Sequence, residues 1–375
     1  MGIPFVDLHA QYLTIQPEID AAMAAVIRES AFIRSKYVAT FEAEFAAAVG
    51  VKHCVSCANG TDALYIVMKG LGIQPGDEVV TTAHSWISTS ETITQAGGRV
   101  VFCDTDADGF TIDPTQLESK ITERTVGIIP VHLYGQPADM DPILEIANRR
   151  GLWEVEDCAQ AHMAEYKGRQ VGTMGAAATF SFYPGKNLGA MGDAGAIVTN
   201  DSRLAGWCET YARHGGKDEH KIEGINSRLD GLQAAILSVK LPHLPRWTQA
   251  RRRVAKSYDE LLGMMPGIRI PKIGSGRSHV YHLYVIRTMN RDALRQHLTA
   301  AGVATMLNYR KALPFYPAYA YLRHSPVDFP NAYANQGSIL SLPIYPELDE
   351  GGIEFVAERI AEHADQFSRR LGGPS

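Results

Sequence analysis

Short apolar strands alternate with helical segments over the first half of the chain, and this alternation constrains the fold more than any other feature. Three of the strand-like runs are E-V-V-T-T at 78–82, R-V-V-F-C at 99–103 and T-V-G-I-I-P-V at 125–131. These runs are apolar on both faces, which is typical of parallel strands that helices cover on two sides. The sequence therefore predicts an α/β protein with a mostly parallel sheet sandwiched between helices.

The pattern changes near Leu237, where two prolines follow and a long helix with a basic face begins. Beyond it, the alternating residues of Y-H-L-Y-V-I-R at 281–287 predict a strand, with further helices around it. A length of 375 residues also exceeds what one compact core usually holds. We therefore predict a large α/β domain at 1–240 and a smaller α+β domain at 241–375.

Charge and composition argue against several classes of partner. The net charge is −5 with no long basic run, which argues against nucleic acid. No segment is long and apolar enough to cross a membrane, and the start lacks the pattern of a signal peptide. Five cysteines in a chain of this length are typical of reduced thiols, so we expect a cytoplasmic protein. Cys54 and Cys57 form a C-x-x-C pair, but no second ligand pair accompanies them, and no metal site is predicted.

A lysine in a glycine-rich bend is the first candidate for catalysis. Lys186 lies between the apolar runs F-S-F and A-G-A-I-V-T, with Gly185 and Gly189 beside it. Burial in such a bend lowers the pKa of an amine and makes it a usable nucleophile or base. A lone lysine near glycines is also common in a solvated turn, so this residue does not define a function by itself.

Two further features lie at predicted strand ends, where α/β sheets collect their ligands. Asp157 ends the strand L-W-E-V-E-D, although an aspartate here could simply cap the next helix. Gly60 and Thr61 follow a short strand at 53–57 and begin a helix, an arrangement that presents free backbone N–H groups to an anion. A lysine, an aspartate and an anion cradle together are what pyridoxal phosphate requires of a protein.

Four motifs resemble, in the same order, those of the DegT/DnrJ/StrS family of pyridoxal-phosphate-dependent sugar aminotransferases. They are A-N-G-T-D-A-L at 58–64, V-E-D-C-A-Q-A-H at 155–162, S-F-Y-P-G-K-N-L-G-A-M-G-D-A-G-A at 181–196 and G-I-N-S-R-L-D-G-L-Q-A-A-I-L at 224–237. The similarity extends over nearly the whole chain. It implies the fold type I of pyridoxal-phosphate transferases and a homodimer whose active sites are shared between subunits.

The resemblance also implies a role for each of eight residues. Lys186 falls where the family forms its covalent bond to the cofactor and then moves a proton at the reacting carbon. Asp157 falls where a carboxylate pairs with the pyridine nitrogen. The other positions match residues that contact the ring, its phenolic oxygen or the phosphate, the last of them from a neighbouring subunit: Trp86, Gln160, Gly60, Thr61, Ser181 and Asn226.

The lysine loop N-L-G-A-x-G-D-A-G-A is more similar to family members that aminate C3 of a nucleotide-linked 3-keto sugar, with L-glutamate as the donor. Members that act at C4 tend to carry a threonine-rich loop. Amination of a nucleotide-linked 4-keto sugar at C4 therefore stays an alternative, as does a non-catalytic regulator with this fold. The nucleotide is left open between dTDP and UDP.

Three basic residues are candidates for carboxylate or pyrophosphate contacts, because guanidinium pairs well with such groups: Arg213, His214 and Arg228. Surface ion pairing is an equally common use of such side chains. The sequence departs from the family pattern at Met163, at Met191 and at Leu307–Arg310. All three departures fall near the region expected to touch the sugar, so they bear on the substrate rather than on the chemistry.

Overall fold

The structure, a computed structural model, describes residues 2–216 and 219–371, with side chains in the last helix described through residue 364. The strands of the described residues, numbered along the chain, are β1 (His53–Cys57), β2 (Glu78–Thr82), β3 (Arg99–Cys103), β4 (Thr125–Ile129), β5 (Trp153–Asp157), β6 (Glu165–Tyr166), β7 (Arg169–Gln170), β8 (Ala177–Ser181), β9 (Gly195–Thr199), β10 (Ile268–Arg269), β11 (Tyr284–Thr288) and β12 (Ile339–Leu342).

The central sheet has seven strands in the order β1-β9-β8-β5-β4-β2-β3. The pairs β2–β3, β2–β4, β4–β5 and β5–β8 are parallel. Strand β9 runs antiparallel to both of its neighbours, β1 and β8. The predicted mostly parallel sheet is therefore confirmed, with β9 as its one reversed strand among the described residues.

The α-helices of the described residues are α1 (Leu8–Leu13), α2 (Gln16–Glu29), α3 (Lys36–Val49), α4 (Gly60–Gly70), α5 (Ser88–Gln95), α6 (Pro114–Leu117), α7 (Met140–Arg150), α8 (Ser202–Tyr211), α9 (Gly231–Lys240), α10 (Leu244–Leu262), α11 (Arg291–Ala300), α12 (Pro330–Ser338) and α13 (Glu350–Leu371). Gly50 ends α3 with φ of 87°, a left-handed conformation that glycine adopts without strain.

Helices cover both faces of the central sheet, as the apolar strands require. Buried residues of α4, α5 and α8 pack on one face, around Val155 and Ile197. Residues of α3 and α9 pack on the other face, around Phe180 and Val198. Successive residues of β9 thus enter different cores, because side chains alternate across a strand. The predicted sandwich of helices around the sheet is confirmed.

A second, antiparallel sheet in the order β10-β11-β12 lies in the C-terminal part of the chain. Residues of α10, α11 and α13 share one apolar core with it. Two segments cross the predicted boundary at 240: Ile3 pairs with Val303, and Leu313 and Phe329 pack into the same core as α4. The division at 1–240 and 241–375 stays a prediction.

No helix among the described residues is both long and apolar enough to pass through a bilayer. All five cysteines are free thiols. Cys54 and Cys57 lie on β1, and burial raises the pKa of both thiols. A raised pKa disfavours the thiolate that metal binding and redox chemistry use.

Candidate active site

A cavity of about 560 Å³ opens at the carboxyl ends of the parallel strands, where sheets of this kind bind their ligands. Residues of the C-terminal part of the chain complete its wall, among them Arg251, His282 and Tyr309. Seven of the eight residues implied by the resemblance line this cavity: Gly60, Thr61, Trp86, Asp157, Gln160, Ser181 and Lys186.

The start of α4 forms an anion cradle at one end of the cavity. Asn59 caps the helix, and its side chain accepts a hydrogen bond of 2.8 Å from the backbone N–H of Asp62. The N–H groups of Gly60 and Thr61 have no acceptor among the described residues, as is normal for the first turn of a helix. A Cβ on Gly60 would lie 2.7 Å from that of Ser181, so only glycine lets the serine hydroxyl approach the free N–H groups this closely.

Asp157 is the last residue of β5 and lies buried at the cavity. One carboxylate oxygen accepts a hydrogen bond of 2.8 Å from the Thr89 hydroxyl, and the other accepts one of 3.1 Å from the N–H of Ala159. Burial raises the pKa of Asp157, while these hydrogen bonds and the charge of Lys186 oppose the rise. A carboxylate in this position is stabilised further by a cationic N–H group inside the cavity.

Lys186 follows β8 in a tight turn, where its N–H donates to the carbonyl of Tyr183 at 2.8 Å. Loss of hydration lowers the pKa of Lys186 to about 8, and the carboxylate of Asp157 limits the drop. The amine makes no hydrogen bond to the side chains or backbone that the structure describes. Lys186 is half-buried, and its amine has lost part of its hydration, feels the charge of an acid and is available to react.

The turn that carries Lys186 is fixed by a glycine within it and by a hydrogen bond from α9. A Cβ on Gly189 would lie 2.2 Å from the carbonyl oxygen of Pro184, so the turn requires glycine there. The carbonyl of Gly189 accepts a hydrogen bond of 2.7 Å from the buried ammonium of Lys240, at the end of α9. Lys240 thus fixes the turn to the helix layer.

Gln160 and Trp86 both contact Tyr309, which belongs to the C-terminal part of the chain. The side-chain oxygen of Gln160 accepts from the N–H of Tyr134 at 2.7 Å, and its amide donates to the hydroxyl of Tyr309 at 2.9 Å. The Trp86 ring is 57% exposed and lies 5.5 Å from the Tyr309 ring. These two rings form an aromatic wall of the cavity.

The remaining predicted contacts do not line the cavity of their own chain. Asn226 is exposed and pairs through its backbone with Arg213. The Arg213 side chain forms ion pairs with Glu42 and Glu209 instead. His214 and Arg228 also lie outside the cavity lining, as do the departures at Met163 and Met191. Within the run at 307–310, Asn308 and Tyr309 do line it.

A buried histidine–glutamate pair supports β5 beneath Asp157. His132 accepts from the N–H of Ala138 at its Nδ1, at 3.0 Å, so its Nε2 carries the proton and donates to Glu156 at 3.0 Å. The N–H groups of residues 172, 174 and 175 also donate to Glu156. Burial raises the pKa of Glu156, but these donors outweigh it and hold the pKa below its usual value. Cys158 is close enough to suggest a metal cluster, but the ring nitrogens of His132 and the oxygens of Glu156 already have partners.

The sequence of the chain matches the model of a known protein family. The model of the DegT/DnrJ/EryC1/StrS aminotransferase family covers residues 13–361. The chain belongs to this family. The family predicted from the four motifs is therefore confirmed.

Three relatives illustrate how the family is named. The chain is 47% identical to a pleiotropic regulatory protein of Geobacillus stearothermophilus, over 98% of this chain and all of that protein. It is 41% identical to the dTDP-3-amino-3,4,6-trideoxy-alpha-D-glucose transaminase of Streptomyces venezuelae, over 98% and 97% of the two chains. It is 42% identical to the UDP-2-acetamido-2-deoxy-3-oxo-D-glucuronate aminotransferase of Pseudomonas aeruginosa, over 94% and 98%.

Solved structures of the family have the same architecture. DesV of S. venezuelae, in complex with a ketimine intermediate, superposes with a TM-score of 0.95 at 41% identity and covers 97% of this chain and 99% of its own. NtdA of Bacillus subtilis, with bound cofactor PMP, superposes with a TM-score of 0.86 at 30% identity and covers 93% and 82%. The predicted fold class is confirmed at the level of the family.

Several cavity residues were not predicted from the sequence. Thr89 lies on a helix of small polar residues, and nothing in its spacing points to Asp157. Arg251 belongs to the run R-R-R at 251–253, which is typical of a solvated helix face. His282 and Tyr309 reach the cavity only through the packing of the C-terminal part of the chain. The acidic residues of β5, W-E-V-E-D, were a local signal of a buried polar network.

Proposed function

We propose that this protein is a pyridoxal-phosphate-dependent aminotransferase that moves an amino group from L-glutamate to C3 of a nucleotide-linked 3-keto sugar. The observation that carries the proposal is the convergence of Lys186, Asp157 and the free N–H groups of Gly60 and Thr61 on one cavity. Each feature alone has a commoner explanation, but a solvated turn lysine would not lie half-buried in one cavity with a buried aspartate.

The residues fit pyridoxal phosphate at three points. The first turn of α4 and the hydroxyl of Ser181 suit a phosphate. Asp157 is a buried carboxyl whose charged form a cation would stabilise, so it suits a protonated ring nitrogen. Lys186 suits the covalent bond to the cofactor. Trp86 and Gln160 line the same cavity, and the resemblance implies that they contact the ring face and the phenolic oxygen.

When bound, pyridoxal phosphate supplies a carbonyl group that takes up the amine and a ring that withdraws electrons from the reacting carbon. The chain supplies the proton transfers. In the first half-reaction the Nζ of Lys186 removes the proton from Cα of glutamate, and in the second it delivers a proton to C3 of the sugar, which carries no hydrogen in the ketone. A pKa of about 8 leaves part of the amine neutral near neutral pH, as a general base requires.

The choice of C3 rests on the lysine loop and on the names of relatives. The relatives from S. venezuelae and P. aeruginosa are named for a 3-amino sugar and a 3-oxo sugar, one linked to dTDP and the other to UDP. The proposed substrate is therefore a 3-keto hexose that is linked to either dTDP or UDP. Five free thiols support a cytoplasmic location for the reaction.

A homodimer with shared active sites is part of the proposal. Asn226 is exposed and does not line the cavity of its own chain, so a phosphate contact by this residue needs a second subunit. Exposed apolar side chains near the start of α9 offer a surface for that subunit: Phe32 and Ile33 beside Gly231, and Met191, whose N–H donates to Gln233.

A regulatory role is the second candidate, because the Geobacillus relative is named as a regulatory protein. One assay separates the two. The purified protein is incubated with pyridoxal phosphate, L-glutamate and a panel of dTDP- and UDP-linked 3-keto and 4-keto sugars, and the products are located by NMR. We expect a new amine at C3. A new amine at C4 would overturn the regiochemistry alone, and no transfer to any sugar would favour the regulator.

A further inference from the structure

Arg251 is a buried cation in the cavity wall that the family motifs do not assign. It lies on α10 and is only 3% exposed. One of its terminal nitrogens, Nη1, donates to the carbonyls of Ile344 at 2.9 Å and Tyr281 at 3.2 Å. Two separate segments of backbone therefore fix the position of the guanidinium group.

The guanidinium group is only partly satisfied. Its Nε and Nη2 atoms have no hydrogen-bond acceptor within residues 2–216 and 219–364. Neither atom is fully buried. No carboxylate of these residues lies within ion-pair distance of Arg251. Arg251 is one of the residues that line the cavity.

A buried charge without a partner is costly, and proteins rarely retain one without a use. Glu347 is the acid whose charge acts on Arg251, but no ion pair joins the two side chains, and one oxygen of Glu347 has no hydrogen-bond partner. Burial lowers the pKa of Arg251 to about 10, which still leaves it protonated at neutral pH. The cavity wall thus contains a positive charge that forms no ion pair with a carboxylate of the described residues.

His282 links this charge to the reacting region. It lines the same cavity, and its pKa is held well below the usual value by burial and by the charges of Lys186 and Arg251. His282 is therefore close to both cations and stays neutral itself. The phosphate cradle is built from β1, α4 and the end of β8, whereas Arg251 lies on α10. The cavity therefore has two separate places where an anion could bind.

We propose that Arg251 binds a carboxylate of the amino donor, through its free Nε and Nη2 groups. A guanidinium edge matches a carboxylate with two parallel hydrogen bonds. The inference rests on the proposed function for the identity of the donor, L-glutamate, and of its keto product. A sugar acid could offer the same carboxylate chemistry, so the experiment includes both kinds of substrate.

The test compares R251Q with R252Q, a matched control. Arg252 is the next residue on α10 and also donates to a backbone carbonyl, that of His279 at 3.0 Å, but it does not line the cavity. In R251Q we expect KM for glutamate to rise roughly 10- to 100-fold, the usual cost of a lost charge-assisted hydrogen bond. KM for the keto sugar should stay within about twofold of wild type, and R252Q should change neither value.

A binding measurement separates this inference from the proposed function. Glutarate, a non-reactive dicarboxylate, is titrated into each protein by calorimetry. Wild type and R252Q should bind it, and R251Q should bind it at least about tenfold more weakly. If wild type transfers no amine to any sugar but this pattern holds, the inference stands and the proposed function fails.

Three results would overturn the inference while leaving the proposed function intact: an unchanged glutarate affinity in a folded R251Q, an effect on a uronic-acid sugar but not on glutamate, or equal losses in R251Q and R252Q. If R251Q does not fold, R251K takes its place. Lysine keeps the charge but not the two-pronged geometry, so we expect at least a fivefold loss of glutarate affinity, roughly the value of one hydrogen bond. Wild-type affinity in R251K would contradict the inference.

Discussion

Asp157 and Lys186 lie in one cavity, and the charge of each favours the charged form of the other. Burial raises the pKa of Asp157 and lowers that of Lys186 to about 8, so both groups are pushed toward their neutral forms. The ammonium opposes the first shift and the carboxylate opposes the second. The pair therefore keeps a carboxylate and an amine of lowered pKa in one largely buried site.

The pH dependence of cofactor loading follows from the amine. A lysine attacks a carbonyl only when neutral, and with its pKa lowered to about 8 the neutral fraction of Lys186 grows as pH rises through that value. We expect the rate of covalent attachment of pyridoxal phosphate to rise with pH and to level off above roughly pH 8–9. Stopped-flow absorbance near the visible edge measures this rate. A rate that falls over the same range would contradict the assignment.

Asp157 should matter for its charge more than for its shape. Asn at this position can still accept the Thr89 hydrogen bond of 2.8 Å but cannot hold a positive charge at the ring nitrogen. We expect D157N to lower kcat by roughly 100-fold or more, in line with other losses of a charged catalytic partner. T89V, which removes only the hydroxyl, is the control and should lose about tenfold or less. Equal losses in both variants would mean that Asp157 is structural.

Shared active sites predict that two inactive variants restore activity together. K186A lacks the reactive amine, and N226D places a negative charge where the partner subunit's phosphate would bind. If each site takes these two residues from different subunits, a mixed dimer contains one intact site. Refolding an equal mixture should then give roughly a quarter of wild-type activity, since about half of the dimers are mixed. Activity no higher than that of the separate variants would contradict the sharing of sites.

The buried pair beneath the site should contribute to stability. Glu156 accepts hydrogen bonds from His132 and three backbone N–H groups, and a glutamine there would lose the charge and place an amide N–H₂ against one of these donors. We expect E156Q to lower the free energy of unfolding by about 3–5 kcal/mol, as measured by urea denaturation. E165Q, at an exposed position, should change it by less than about 0.5 kcal/mol.

The pKa of Glu156 gives this contribution a pH dependence. Because its pKa in the folded protein is lowered, the stability that it provides is fully present above the pKa of an unfolded glutamate. That stability is lost as pH falls through the lowered pKa. The difference between wild type and E156Q should therefore shrink in acid, and a difference that grows in acid would contradict the hydrogen-bonded charge.

The sequence predicted the central sheet because its strands are apolar on both faces, and helices on two sides are the usual way to bury such strands. It could not predict that β9 runs antiparallel, because G-A-I-V-T has the same apolar pattern as its parallel neighbours. Direction depends on the length and path of the connection between β8 and β9. That connection is the lysine turn itself, residues 182–194, which contains no helix and so returns the chain antiparallel without a helical crossover.

Some residues of the candidate site could be predicted from the sequence, and others could not. Lys186, Asp157 and Gly60 lie at local junctions of strand, turn and helix, and short motifs mark such junctions. Arg251 and Tyr309 are brought to the cavity from α10 and from the run at 307–310. Their positions depend on how the C-terminal part packs against the central sheet, and no local spacing encodes that. The basic run on α10 looks solvated in sequence, whereas packing buries the first arginine of the three.

The central claim is that Lys186 forms the covalent bond and moves the proton, and K186A tests it most directly. K256A, at an exposed position on α10, serves as the control. Amino transfer from glutamate to the preferred 3-keto sugar is followed alongside the absorbance of the loaded protein. We predict that K186A loses at least about a thousandfold in kcat and forms no covalent adduct with pyridoxal phosphate, while K256A matches wild type. Transfer at the wild-type rate in K186A would contradict the account.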